Sequence, residues 1–518
     1  MYLRYKHKLI IGITLLVISC LTLSSIFVYY TYFNEEDEII EDEPVDVETD
    51  DRISPLADQT VSLEIHRIRK RGIEEVMRKP GRSWKNQPNF FYAATLNDAT
   101  LTSETITGWD TKYVSWEFFR DVPEETQKCD IELKIFETTK KLFSSIDEEI
   151  VSIKLTYDFK TGRWTGDDSF NDDDGYGHYI DDNYEIWFDV HMSDNDGDGI
   201  PYWTENNILG TDPLVDDSKL DPDNDGIPTT WEWKWGYDPL SYDNHSVLDP
   251  DLDGLQNTEE FMMEKWLANP YQPEIYIEVD FMKGKSFGPD YVFWEEAQQL
   301  VIDKFSQHNY EKLNYSNTIS VHFDDGCMGD GGEYLPHIGR YIDQAEGTVS
   351  EFYKYHFADE RKGVFRYLVM AYDAGWCHPQ DYKGWNDVMC VGASQKFLTE
   401  GFRGRSISPR LQRLTQSIQV MHEVGHSLNL MPDHSEGIDN ISSDAVDVWK
   451  NYMSCMSYWK MYRALPSMRI LYGKTDGLIL DYSDGSRDEP GHPDRDDWGH
   501  LDLTFFQRPS HLVEGIEV

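Results

Sequence analysis

The five residues His422-Glu423-Val424-Gly425-His426 are the part of this chain best suited to chemistry. Residues four apart share one face of an α-helix, so both imidazoles can reach a single Zn²⁺. Glu423 would then stand beside the open coordination position of the metal, where it can take a proton from bound water. The spacing therefore predicts a zinc site equipped for hydrolysis.

A helix over residues 411–430 has to hold this motif. Apolar residues recur through the segment at helical spacing, so one stripe can pack while the histidine edge faces a cleft. The stripe consists of Leu411, Leu414, Ile418, Met421, Gly425 and Leu428.

A methionine-bearing segment, Asn451-Tyr-Met-Ser-Cys-Met-Ser-Tyr458, follows the motif. An HExxH helix followed by such a turn, with tyrosine two residues after methionine, resembles the metzincin metalloproteases. The resemblance implies an α/β catalytic domain with one catalytic zinc. It also implies that Met456 forms an apolar floor beneath the metal and that Tyr458 binds the metal or stabilises the oxyanion. The alternative is that both are plain core residues.

The third zinc ligand departs from the metzincin pattern HExxHxxGxxH. Asn429 stands at the glycine position and tolerates a left-handed backbone better than most residues. Pro432 stands at the third-ligand position and cannot bind metal. We predict His434 as the third ligand, because a longer turn can still bring it back under the helix. Asp433 is the alternative.

A repeated DxDxDG loop occupies residues 194–260, and the twelfth residue of each copy is glutamate. Alternating carboxylates, a glycine at the sharp turn and a carboxylate at the twelfth place suit Ca²⁺. The repeats resemble the half EF-hands of thrombospondin type-3 repeats and dockerins. We predict about three structural Ca²⁺ ions. Their ligands would be Asp194, Asp196, Asp198 and Glu205; Asp221, Asp223, Asp225 and Glu232; and Asp249, Asp251, Asp253 and Glu260.

Length and net charge limit the number of domains and the class of partner. A chain of 518 residues has room for about three domains, and a net charge of −48 excludes nucleic acid as a natural partner.

The uncharged run Leu9–Phe33 is long enough to span a bilayer. Basic residues precede it and acidic residues follow, which predicts a single-pass anchor with a cytoplasmic N-terminus and the bulk of the chain outside the cell. A cleaved signal peptide is the rival interpretation.

These features predict a multidomain fold class: an N-terminal transmembrane helix, a β-sandwich, a calcium-loop repeat region and an α/β, metzincin-like catalytic domain. Short alternating strands between residues 60 and 190 favour the sandwich. Its acidic turns at Asp167, Asp168 and 171–175 resemble a calcium- and lipid-binding sandwich of the synaptotagmin type, with plain solvated turns as the alternative. The expected divisions are an anchor (1–34), an acidic stalk (35–58), the sandwich (59–192), the repeats (193–272) and a zinc metallopeptidase domain (273–518).

The function expected from the sequence is a membrane-anchored, extracellular zinc endopeptidase, stabilised by calcium and acting on protein or peptide substrates. A cell-surface adhesion or matrix-binding protein with a structural zinc site is the alternative.

Overall fold

The structure is a computed structural model, and the description is confined to part of the chain. The described residues are 50–78, 87–112, 116–140, 144–169, 175–284, 290–314, 317–339, 342, 348–372, 387–392, 408–440, 442, 447–458, 460 and 479–505. The chain divides into two compact units, Met1–Asp50 and Asp51–Val518, and only Asp50 of the first is described. The account below concerns the second unit.

Two antiparallel sheets pack face to face at the start of this unit. Their strands are β1 (Thr60–Lys70), β2 (Asn89–Leu96), β3 (Ala99–Thr102), β4 (Ile106–Thr107), β5 (Trp116–Asp121), β6 (Lys128–Lys140), β7 (Ser145–Asp158), β8 (Arg163–Gly166), β9 (Gly177–Ile180) and β10 (Tyr184–Met192). One sheet has the order β5-β1-β10-β9 and the other β3-β2-β6-β7-β8, with β4 beside β2. Burial alternates along β2, as expected of a strand with one face on a core. Apolar side chains of both sheets form that shared core.

The repeat region follows β10 with little regular structure. Its elements are a short helix α2 (Tyr202–Thr204) that continues as a π-helical turn (Glu205–Leu209), α3 (Thr229–Lys234), α4 (Asn257–Met262) and a 3₁₀ turn (Glu264–Trp266). A small aromatic core, including Trp231 and Trp235, packs the repeats against Tyr176 and Trp187 of the sandwich. The repeats are thus fixed to the sandwich rather than strung out as a spacer.

A parallel sheet builds the rest of the unit. Its strands are β11 (Glu274–Met282), β12 (Ser320–Asp324), β13 (Tyr334–Leu335), β14 (Phe365–Met370) and β15 (Val388–Val391), in the order β12-β11-β14-β15 with β13 also on β11. Every described pairing in this sheet is parallel. The accompanying helices are α5 (Glu295–Phe305), α6 (Thr348–His356) and α7 (Pro409–Ser427), and α1 (Ile73–Arg78) packs on α5. All nine residues of β11 are buried, as expected of a strand covered on both faces.

A buried charge network joins the sandwich to the parallel sheet. Arg67 pairs with Asp110 at 2.7 Å and also reaches Nδ1 of His322 at 3.1 Å. Arg69 pairs with Glu185 at 2.9 Å and is completely buried. Guanidinium groups buried this deeply need such partners, because an unpaired charge in the interior is costly.

The fold class expected from the sequence is wrong. Strands account for more of the described residues than helices do, and the region expected to be a metzincin-like catalytic domain is organised on a wholly parallel sheet. A pentapeptide and a methionine turn are local patterns, so they do not determine how strands are ordered around them.

The expected membrane anchor is also corrected. No helix among the described residues is both long and apolar enough to cross a bilayer. The segment 1–34, on which the single-pass location was predicted, lies outside the described residues, as does the acidic stalk up to residue 49.

Candidate metal centre

Helix α7 carries the two motif histidines, and its ends follow from the sequence. The Ser408 side chain accepts a hydrogen bond from the Leu411 amide, and Pro409 occupies the first turn, where no amide hydrogen is needed. At the other end Asn429 adopts a left-handed conformation (φ 71°) and the Leu430 amide bonds the Gly425 carbonyl at 2.9 Å. This closure is a Schellman motif, and asparagine is one of the few residues that accept its backbone geometry.

Both motif imidazoles are completely buried and are oriented by backbone carbonyls. Nδ1 of His422 lies 2.9 Å from the Cys455 carbonyl oxygen, and Nδ1 of His426 lies 2.7 Å from that of Leu430. A carbonyl oxygen can only accept, so each Nδ1 donates and Nε2 is the ring nitrogen turned towards the other imidazole. The two Nε2 atoms lie 3.1 Å apart. The rings are thus prepared as ligands of one ion.

Asp439 completes this group. Its carboxylate lies 3.1 Å from Nε2 of His422 and 3.4 Å from Nε2 of His426. The residue has a left-handed backbone (φ 56°), and its amide donates to the Met456 carbonyl. Burial raises the pKa of this carboxyl, but the electrostatic interaction with the adjacent imidazoles of His426 and His422 holds it below its usual range. Asp439 is therefore present as a carboxylate.

The predicted third ligand, His434, does not join the group. Its side chain is 40% exposed, Nδ1 lies against the Asn429 carbonyl, and Nε2 is 3.8 Å from Asp433. Asp433 is 66% exposed and also lies outside the group that the two imidazoles form with Asp439. After the helix the chain makes two further turns before Asp439 returns to the histidines. The sequence signal that could have indicated this ligand was the pair Asp439-Asn440, because Asp and Asn are the non-glycine residues that most readily adopt positive φ.

Met456 lies directly beneath the motif. It is fully buried, and a Cβ added at Gly425 would meet its Sδ at 2.5 Å. The glycine of the motif is thus needed for close packing on this methionine. The methionine turn also supports two ligands through its backbone, because the Cys455 carbonyl accepts from His422 and that of Met456 accepts from Asp439.

Tyr458 and Glu423 flank the ligands. The Tyr458 ring stacks on that of His422, with centroids 4.9 Å apart and planes at 19°. Glu423 is partly exposed as a residue, although its Oε2 atom is buried and makes no hydrogen bond to the described residues. Burial raises the pKa of Glu423 to about 8; the interaction with His426 lowers this pKa, and the charge of Asp439 raises it. A carboxyl in this setting is suited to taking up and releasing protons near neutral pH.

The three ligand atoms fit a small tetrahedral ion. Ligands about 2.0–2.1 Å from a tetrahedral Zn²⁺ are about 3.3 Å from one another. The two imidazole nitrogens lie 3.1 Å apart, and the Asp439 carboxylate approaches His422 at 3.1 Å through Oδ1 and His426 at 3.4 Å through Oδ2. Two imidazoles and one carboxylate leave one tetrahedral position for solvent or substrate.

The three DxDxDG loops share one local geometry. In each, the amide of the sixth-place glycine donates to the carboxylate of the first aspartate, at 2.7, 3.0 and 3.0 Å. These glycines, Gly199, Gly226 and Gly254, have φ between 87° and 98°, which other residues adopt only with strain. The aspartates of each copy come together with ligand atoms within 4.8 Å of one another: Asp194, Asp196 and Asp198; Asp221, Asp223 and Asp225; Asp249, Asp251 and Asp253. These acidic clusters could bind metal.

The twelfth-place glutamates differ among the copies. Glu205 joins its three aspartates, and burial raises its pKa to about 8. Glu260 is 1% exposed, and neither of its carboxylate oxygens makes a hydrogen bond to a described residue. Burial, followed by the Asp253 charge, raises the pKa of Glu260 well above its usual range. Crowded, buried carboxylates of this kind need a cation or protons to offset their repulsion. Glu232 instead lies with Asp225 and His245.

The acidic turns of the sandwich do not form such a group where they are described. Asp167 accepts from the Lys154 amide at 3.0 Å, and Asp168 accepts from the Trp164 indole and the His178 amide at 3.1 Å each. These carboxylates close turns. Residues 170–174, the rest of the predicted acidic cluster, lie outside the described residues.

Comparison with known proteins adds no functional argument. No protein-family model matches the chain, and no curated protein matches it either. Human GIVD cytosolic phospholipase A2, in complex with methyl gamma-linolenyl fluorophosphonate, aligns with 26% of this chain and 17% of its own, at 11% identity and a TM-score of 0.16. A C2 domain of plant extended synaptotagmin 1 aligns over 26% of this chain and 95% of that chain, at 11% identity and a TM-score of 0.17. Likeness of this extent does not establish a shared fold.

Proposed function

We propose that this chain is a zinc-dependent hydrolase of peptide bonds, with His422, His426 and Asp439 as the metal ligands. The observation that carries the proposal is the meeting of these three side chains beside Glu423, with ligand separations that suit a tetrahedral ion. Two histidines with one carboxylate are a ligand set that hydrolytic zinc enzymes use. The proposal replaces the sequence-based choice of His434.

The chemistry follows from the positions of the side chains. When bound, zinc polarises a carbonyl and lowers the pKa of a water molecule towards neutrality. Glu423 would accept the proton from that water and pass it to the leaving amine. A cation beside this glutamate favours its ionised form, which a general base requires. Tyr458 stacks on His422, and its hydroxyl would assist an oxyanion in this proposal.

An open coordination position distinguishes this proposal from a structural zinc site. A structural site is normally closed by four protein ligands. Asp433, the alternative ligand that the sequence offered, is 66% exposed and lies outside the group, so it does not close the site. This placement favours hydrolysis over the adhesion protein that the sequence left open.

We also propose that the repeats bind Ca²⁺ as structural ions. Carboxylates of the first and third loops are arranged as an EF-hand-like loop requires, with the glycine turn in place. Because the repeats pack on the sandwich through an aromatic core, cation binding would stabilise this part of the fold.

The test combines metal analysis with an activity assay. Purified full-length protein is incubated with a generic unfolded protein substrate, with and without a zinc chelator, beside Glu423→Gln. We expect cleavage that the chelator abolishes and that Glu423→Gln loses while it keeps its zinc. Equal cleavage by both proteins, or none by either, would contradict the hydrolase proposal and favour the adhesion alternative.

A matched pair of variants tests the ligand assignment. Asp439→Asn keeps the shape of the side chain and removes its charge, whereas His434→Ala removes an exposed ring. We expect Asp439→Asn to lose zinc on dialysis and His434→Ala to retain it, with both giving unchanged circular dichroism. The reverse pattern would reassign the third ligand to His434.

A further inference from the structure

The second repeat contains an imidazole where the other repeats have oxygen ligands alone. His245 is completely buried and follows the loop of the second repeat. In the first loop the corresponding neighbour is a carboxylate, Asp217, which lies against Asp198, and in the third loop Asp253 accepts from the backbone amide of Glu274. The second repeat is therefore not a copy of its neighbours.

The ring is directed at two carboxylates. Nε2 of His245 lies 3.2 Å from Asp225 Oδ2 and 3.5 Å from Glu232 Oε1, but its geometry fits no hydrogen bond among the described residues. Nδ1 lies 2.8 Å from the side-chain amide of Asn257. The atom nearest Nδ1 is the amide nitrogen Nδ2, and the reversed amide orientation, which places the oxygen there, leaves the Nε2 lone pair facing the carboxylates. Asp225 and Glu232 are themselves buried within this group.

The separations match those of the HExxH centre. Three ligands of a tetrahedral transition-metal ion lie about 3.3 Å from one another. Glu232 lies with His245 and with Asp225 of its own loop, whereas Glu205 in the first repeat joins its three aspartates. An ion that prefers oxygen ligands would gain nothing from the imidazole, because Ca²⁺ takes carboxylate, carbonyl and water ligands. An imidazole ligand favours zinc and other late first-row metals.

We propose that Asp225, Glu232 and His245 form a second transition-metal site, distinct from the HExxH centre and selective against Ca²⁺. The site lies between the second loop and the aromatic core formed by Trp231 and its neighbours, where His245 also packs edge-on to Trp231 and Tyr237. A metal there would tie the second loop to the segment that leads into the third. The site does not depend on the proposed hydrolase activity.

The test uses Co²⁺ as a probe, because its absorption reports coordination geometry. The protein carries His422→Ala and His426→Ala, which remove the first centre, and is held in excess Ca²⁺ to fill the oxygen sites. We expect this protein to retain a single Co²⁺ per chain after dialysis, with the intense visible bands of a tetrahedral ion. Adding His245→Asn should abolish both the retained metal and the bands.

Two further variants keep the outcome interpretable. His245→Asp gives the second repeat a carboxylate, as in the first, so it should lose Co²⁺ while melting in Ca²⁺ as the parent does. His191→Asn replaces a half-exposed histidine of the sandwich and should change nothing. Failure of the parent to retain Co²⁺, or retention that survives His245→Asp, would overturn the proposal.

Discussion

The motif glycine offers a sensitive test of how the metal centre is supported. Alanine at position 425 would favour the helix by about 1 kcal/mol. However, its Cβ would lie 2.5 Å from the Met456 sulfur and 3.1 Å from Tyr482 Oη. Ordinary contact distances are about 3.5–4.0 Å, so the methionine must retreat by about 1 Å. Overpacking of this kind typically costs about 1–3 kcal/mol.

The clash should therefore outweigh the gain in helix propensity. We expect Gly425→Ala to lower the free energy of unfolding by up to about 2 kcal/mol. Zinc affinity should fall about 10- to 100-fold, because the backbone of the displaced turn orients His422 and Asp439. Denaturant melts of metal-free protein and zinc competition with a chromophoric chelator measure the two effects.

A second substitution separates the clash from other causes. In a Met456→Ala background the sulfur is absent, so Gly425→Ala should there become neutral or stabilising. A double-mutant cycle between the two positions should consequently show a coupling of about 1 kcal/mol or more. If Gly425→Ala alone stabilised the protein by the full helix-propensity gain and left zinc affinity unchanged, the packing argument would be refuted.

Three other predictions concern calcium, pH and the tyrosine. Removing Ca²⁺ with a selective chelator should lower the melting temperature, because each site at 100 times its Kd contributes about 2.7 kcal/mol; an unchanged melt would contradict the loop assignment. Burial raises the pKa of Asp280 to about 7, although Tyr367 donates to it at 2.8 Å. Between about pH 4 and pH 7 the native state thus keeps a proton on Asp280 that the unfolded chain has released. The stabilisation that this proton gives the folded state is complete below about pH 4 and is lost as the pH rises towards 7. Asp280→Asn should flatten that part of a plot of unfolding free energy against pH, and an unaltered slope would count against the shift. Tyr458→Phe keeps the ring stacked on His422, so zinc content should be unchanged while kcat falls about 100-fold if the hydroxyl stabilises the oxyanion; an unchanged kcat would make Tyr458 a core residue.

The sequence predicted helices and strands well where a single element contains all the residues that form the periodic pattern. The short alternating strands expected between residues 60 and 190 are found as β1 to β10. Helix α7 covers Pro409–Ser427 against an expected 411–430. Periodic burial drives these elements, and periodicity can be read from sequence alone.

Partners distant in sequence were not accessible in the same way. His434 was chosen because it follows the helix closely, yet two intervening turns carry the chain past it to Asp439. The buried network of Arg67, Arg69 and His322 joins strands of two different sheets, and periodicity does not indicate such pairings. The parallel order of the later strands was missed for the same reason.

The sequence by itself determined the two imidazoles, the neighbouring glutamate and the repeated carboxylates, because helical pitch and loop length confine those groups to short spans. Tertiary structure alone decided which carboxylate meets the imidazoles, that the Cys455 carbonyl orients one of them, and that the second repeat meets a histidine. These choices depend on how separate segments pack in space, and packing is a property of the whole folded unit.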